Sequence, residues 1–181
     1  MTNQAEQGLL SPFLQRARLA AARPYLAGRV LDIGCGNGGL ATYVASEQYL
    51  GVDRDSKSLS DARTKHPDHT FVDELPPDGE FDTIVALALI EHVKDAHGAL
   101  GGWVKLLSKG GRIVLTTPHQ SFRLVHDLGS RIGLFSQDAA DEHEELFTRS
   151  SLAGLASHSG LRVEHYRRFL GGANQLCILV Q

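Results

Sequence analysis

The residues of this chain best suited to chemistry are Asp32, the alternating glycines Gly34, Gly36 and Gly38, and Asp53. Alternating glycines allow a tight turn and let the backbone approach a ligand closely. Taken as six letters, Gly34-Cys-Gly-Asn-Gly-Gly39 satisfies the GxGxxG pattern, and Asp53 stands 19 residues beyond Gly34, where a carboxylate meets ribose hydroxyls. The group reads as a cradle for a nucleotide-type cofactor, a pattern shared by nicotinamide and other adenosine cofactors. Asp32 discriminates between them. A carboxylate so close to the turn repels a pyrophosphate and suits a cationic or amine-bearing group. Both aspartates also have a plainer reading, as acceptors of backbone hydrogen bonds around the turn.

Such a turn must be presented by a strand. Residues 29–33 supply one, with Val30, Leu31 and Ile33 suited to burial on both faces. Further strands are expected at 49–53, 70–72, 81–88 and 111–117. Between them the pattern predicts helices at about 38–46, from Ser56 as cap through Arg63, and from Asp95 to about Ser108. A helix near 148–159 then leads into an antiparallel hairpin, 161–169 and 173–180, around Leu170-Gly-Gly172. Ahead of the first strand, Ser11-Pro12 starts a helix that ends near Pro24. The expected fold class is α/β: a Rossmann-like, seven-stranded, mostly parallel sheet with helices on both faces and a C-terminal antiparallel hairpin. Residues 1–28 are expected to form a helical segment packing on a single domain of 29–181. In such sheets ligands bind beyond the carboxyl ends of the strands, which nominates Gly34 to Gly38, Asp53, Asp73, Ala88 to His92 and Pro118-His119.

Composition narrows the partners. A chain of 181 residues, 42% hydrophobic and 22% charged, fits one domain with a full core. Its net charge of -3 offers no basic field, so nucleic acid is not an expected partner and a small molecule is. Cys35 and Cys177 form no CxxC pair, which favours a reducing compartment. The start lacks a basic and apolar leader, and the longest apolar run, Ile84 to Ile90, is too short to span a bilayer. A cytoplasmic location without stable membrane insertion is therefore expected.

Several stretches taken together carry a family resemblance. They are Val30-Leu-Asp-Ile-Gly-Cys-Gly-Asn-Gly38, Gly51-Val-Asp53, Phe81-Asp82 leading into Leu89-Ile-Glu-His-Val93, Leu107-Ser-Lys-Gly-Gly-Arg-Ile-Val114 with Thr117-Pro118, and the closing hairpin. The chain from about Arg16 to Gln181 resembles the class I S-adenosylmethionine-dependent methyltransferases, in particular the small enzymes of quinone biosynthesis. The resemblance implies S-adenosylmethionine as cofactor. It further implies that Asp32 contacts the methionine amino group, directly or through water, and that the backbone of Gly34, Gly36 and Asn37 lines the cofactor. Asp53 would accept both ribose hydroxyls. Asp73 would meet the adenine edge, although Phe71-Val-Asp-Glu-Leu-Pro76 is shorter than the usual pattern and Glu74 is an alternative. Leu87 and Ala88 would lie beside the transferable methyl group.

The implied reaction is transfer of a methyl group to an oxygen, nitrogen or carbon of a small acceptor. The leaving group is already activated by positive charge, so the enzyme mainly positions the reactants and supplies a base where the acceptor must lose a proton. His92, His119 and His143 are the candidate bases, each with an alternative as a structural or solvated residue. Some relatives carry Glu-x-x-Glu-His after strand four and bind a divalent metal there. Here Ala88 replaces the first carboxylate, and no metal is expected. Within 118–147, Phe122, Val125, Leu128, Ile132 and Phe135 recur at helical spacing. They predict an amphipathic helix that either packs on the sheet edge or closes over an apolar or aromatic acceptor. The lack of an Asn/Asp-Pro-Pro-aromatic motif after strand four argues further against nucleic acid. Two other readings remain: a catalytically silent cofactor-binding subunit, and a nicotinamide-dependent reductase favoured only by GxGxxG.

Overall fold

The computed structural model describes residues 11–120 and 146–181. Its strands are β1 (Val30–Ile33), β2 (Tyr49–Val52), β3 (Thr70–Val72), β4 (Phe81–Leu87), β5 (Leu107–Pro118), β6 (Arg162–Phe169) and β7 (Asn174–Val180). They form one sheet in the order β3-β2-β1-β4-β5-β7-β6. The first five are mutually parallel, and β7 runs antiparallel to both β5 and β6. The strand order reverses direction between β1 and β4, which opens a crevice beyond their carboxyl ends.

The helices of the described residues are α1 (Ser11–Ala22), α2 (Ser56–Lys65), α3 (Ala96–Val104) and α4 (Arg149–His158). Residues alternate across the sheet, so each strand feeds two cores. Leu31, Ile84 and Ile113 pack with Leu100 and Trp103 of α3 and Leu152 and Leu155 of α4. Val30, Val85 and Val114 pack on the other face with Ala22 of α1 and Leu59 and Ala62 of α2. Burial on both faces is why these strands read as near-continuous apolar runs. Between α1 and β1 the chain is stitched to β4 by Thr83, whose hydroxyl accepts from the Ala27 N–H and donates to the Ala27 carbonyl. None of the described helices is long and apolar enough to cross a membrane.

Three local expectations are corrected. No α-helix forms over 38–46, where there are only single 3-10 turns at Ala41–Tyr43 and Ser46–Gln48. Gly38, the expected first residue of that helix, is held at φ 77°, outside the helical region, and a Cβ there would come to about 3.0 Å from His66 and Phe71. The cap of α2 is Asp55 instead of Ser56, its carboxylate accepting the Ser58 N–H at 2.9 Å. A carboxylate one residue earlier also meets the positive end of the helix dipole. Finally, α3 ends at Val104 and β5 begins at Leu107, ahead of the expected 111, because the pairing with β4 shifts register between Phe81 and Thr83. The expected amphipathic helix with Phe122 and Phe135 lies outside the described residues.

Candidate active site

The crevice is a cleft of about 1330 Å³ beyond the ends of β1, β2 and β4. Gly34, Asp53, Asp73, Leu87, Ala88 and His92 line it, together with Glu74. Its far wall is one face of α3, with Gly98, Ala99 and Gly102 beside Trp103, and Gly102 leaves open space there. Six sequence-nominated residues thus meet in one cavity. Asp32, Gly36, Asn37 and His119 do not line it, and His143 lies outside the described residues.

The glycine turn is fixed at its base. The Gly34 and Cys35 N–H groups both donate to the Val52 carbonyl, at 2.8 and 3.0 Å. Gly34, Gly36 and Gly38 all take positive φ, at 72°, 52° and 77°. Their surroundings differ: a Cβ on Gly38 would strike His66 and Phe71, whereas a Cβ on Gly36 would meet nothing within 4 Å. Open space at Gly36 is what a ligand drawn along the backbone needs. Asp53 ties the turn to β2, its Oδ2 accepting the Gly36 N–H at 2.7 Å and its Oδ1 accepting the Asp55 N–H at 2.9 Å. Each carboxylate oxygen has a second lone pair, so this structural role coexists with binding a diol.

Asp32 shares the Val30 face of β1 and is 3% exposed. The Tyr49 hydroxyl donates to its Oδ2 at 2.7 Å. Burial pushes the Asp32 carboxyl up to about 7, against the pull of the Tyr49 hydrogen bond, and the nearby Asp53 charge adds to the rise. Tyr49 was not among the nominated residues. Its signal lies in the register, because Tyr49 pairs with Val30 and so stands on the same face as Asp32.

Ala88 follows β4 at φ 53°, left-handed for a residue with a side chain, and its N–H donates to the Thr116 carbonyl at 2.7 Å. This bend turns the chain from the strand into the cleft. Left-handed backbone costs a non-glycine residue about 1–2 kcal/mol. Ala88→Gly is therefore expected to stabilise the protein by about 1 kcal/mol, and Ala88→Val to destabilise it, in urea unfolding. Equal stability of the alanine and glycine forms would remove the strain.

Of the described candidate bases, His92 is exposed and faces the cleft, while His119 lies at the β5–β7 pairing, its N–H donating to the Ala173 carbonyl at 2.9 Å. Burial lowers the His119 pKa, and Arg168 lowers it further. Glu91, noted in the sequence only beside a metal pattern, is 2% exposed, and neither carboxyl oxygen meets a donor in hydrogen-bonding geometry. Burial raises its pKa, opposed by its own amide, His92, Arg18 and Thr117.

A family model described as "Methyltransferase domain" matches residues 4–166. A ubiquinone biosynthesis O-methyltransferase of Thiobacillus denitrificans is 28% identical over 165 residues, covering 82% of this chain and 71% of that protein. Another, of Aromatoleum aromaticum, is 32% identical over 111 residues, covering 54% of this chain and 47% of that protein. This chain thus aligns with less than half the length of several such relatives. Among solved structures, magnesium protoporphyrin IX methyltransferase from Synechocystis with bound SAH shares the fold. It has a TM-score of 0.70 at 18% identity, covering 100% of this chain and 89% of that one.

Proposed function

The chain belongs to the methyltransferase-domain family, in the class I S-adenosylmethionine-dependent group, and from that premise we propose that it methylates an apolar or aromatic small molecule at oxygen, nitrogen or carbon. The observation that carries this reading is a single cleft holding both the Asp53 carboxylate and the apolar end of β4. At about 1330 Å³ it exceeds the roughly 300–1,000 Å³ usual for one small ligand, leaving space for cofactor and acceptor together. The open side of Gly36 and the polar rim of Asp53 and Asp73 fit an adenosyl cofactor.

When bound, S-adenosylmethionine supplies a methyl group on a positively charged sulfur. Asp53 holds the ribose diol, Asp73 the adenine edge, and the Gly34–Asn37 backbone the length of the ligand. Asp32, beneath the turn, is the anionic partner of the amino group, directly or through water. Leu87 and Ala88 position the methyl, and Leu89, Val93 and Trp103 give the acceptor an apolar wall. His92 takes the acceptor's proton where one must leave, since it is the described candidate that faces the cleft. The relatives that act in ubiquinone biosynthesis favour oxygen as the nucleophile. Two buried free thiols, Cys35 and Cys177, support a reducing compartment such as the cytoplasm.

Calorimetric titration should show micromolar binding of S-adenosylmethionine or S-adenosylhomocysteine, about 8 kcal/mol. Radiolabelled cofactor should then pass its methyl group to hydroxylated aromatic acceptors. Saturable NADH binding with neither adenosyl ligand bound would overturn the cofactor assignment. Cofactor binding with no transfer to any acceptor would leave a silent binding subunit.

A further inference from the structure

Outside the cleft, α3 and α4 bring two exposed imidazoles together. His97 and His158 have ring centres 4.8 Å apart with planes at 67°. The His158 Nδ1 lies 2.8 Å from the Gly154 carbonyl oxygen. A carbonyl only accepts, so Nδ1 carries the proton in this contact, and the neutral ring presents its Nε2 lone pair away from the helix. A ring nitrogen fixed by donating to a backbone carbonyl is the usual arrangement behind a metal-bound histidine.

The two rings meet edge to face, and their spacing also falls in the range for a shared ion. With about 2.0–2.1 Å from metal to nitrogen and about 1.1 Å from nitrogen to ring centre, two imidazoles on one ion have centres roughly 4.5–5.1 Å apart for angles between about 90° and 109°. We propose that His97 and His158 together bind a borderline divalent ion such as Zn²⁺ or Cu²⁺, clamping α3 to α4 behind the wall of the cleft. Among the described residues no group of three His, Cys, Asp or Glu side chains is placed to hold a metal, so the proposed site draws on these two rings. Imidazole nitrogen selects ions of this class over Mg²⁺ or Ca²⁺, which take oxygen ligands. The ion would brace the helix whose other face, at Gly98, Ala99 and Gly102, borders the cleft. This site does not depend on the methyl-transfer reading.

The test is calorimetry with Zn²⁺ and with Cu²⁺ on the untagged chain, beside His97→Ala, His158→Ala and the double variant. Chelation predicts that either single substitution weakens the site about tenfold or more and that the double variant loses little beyond that, because neither ring holds the ion alone. The rise in melting temperature on adding metal should vanish in both single variants, and S-adenosylmethionine affinity without metal serves as the folding control. Wild-type isotherms matching those of the double variant, or losses that simply add, would overturn the site.

Discussion

Asp32→Asn is expected to raise the melting temperature of the cofactor-free protein at pH 8 while weakening its hold on S-adenosylmethionine. The Asp32 carboxyl titrates near 7 in the fold against an ordinary 3.8. The folded state therefore keeps a proton that the unfolded state has released. Stability falls as pH rises from about 4 to about 7, at roughly 1.4 kcal/mol per unit, reaching about 4 kcal/mol above that window. Asparagine cannot ionise and still accepts from Tyr49, although burying its amide N–H groups costs about 1–3 kcal/mol. A net gain of about 1–3 kcal/mol at pH 8, some 2–10 °C, should shrink or reverse at pH 5. Cofactor affinity should move the other way, because an ammonium group needs the ionised form, so the wild type should also bind more tightly as pH rises through 7. Scanning fluorimetry at both pH values with and without cofactor reads all of this. A variant less stable than wild type by the same margin at pH 5 and pH 8 would show that the buried charge is not the cost.

Asp53→Ala should weaken S-adenosylmethionine binding by about 2–4 kcal/mol, roughly thirtyfold to a thousandfold. Two losses contribute. On the proposed role the ribose hydroxyls would lose a charged acceptor, and the Gly36 and Asp55 N–H groups lose the oxygens that now hold them. Asp53→Asn separates them, since its one carbonyl oxygen can keep a single backbone bond while the charge is gone. Calorimetry should place the asparagine form between wild type and alanine. An alanine form with wild-type affinity would remove Asp53 from the site.

The strands β1, β4 and β7 were legible because they are buried and show as apolar runs, whereas β6, exposed along much of its length, was legible only through the Leu170-Gly-Gly172 turn beside it. The placement of Asp32, the glycine turn and Asp53 in one strand-turn-strand unit could be read from their spacing. What escaped was set by neighbours distant in sequence. The left-handed turn at Gly38 is closed in by His66 and Phe71, and Tyr49 meets Asp32 only through the parallel register. The left-handed bend at Ala88 has no counterpart in residue type. Glu91 sits plainly in its motif, yet its burial comes with the packing of the turn after β4 against β5, with Arg18 of α1 and Thr117 of β5 near its carboxyl. His92 and His119 looked equivalent as residues after strand ends, and the pairing of His119 with Ala173 separated them.

The place of β7 bears on how this protein is made. It lies between β5 and β6, and its residues from Asn174 to Leu179 are all buried. On a ribosome, β5 emerges more than fifty residues before its partner, and until then Val114 and Leu115 border an open sheet edge. Pairings so far apart in sequence form slowly, and unpaired edges invite association between chains. Completion of the sheet therefore waits on 174–180, and a nascent chain halted before them would hold the glycine turn and Asp53 beside an adhesive flank.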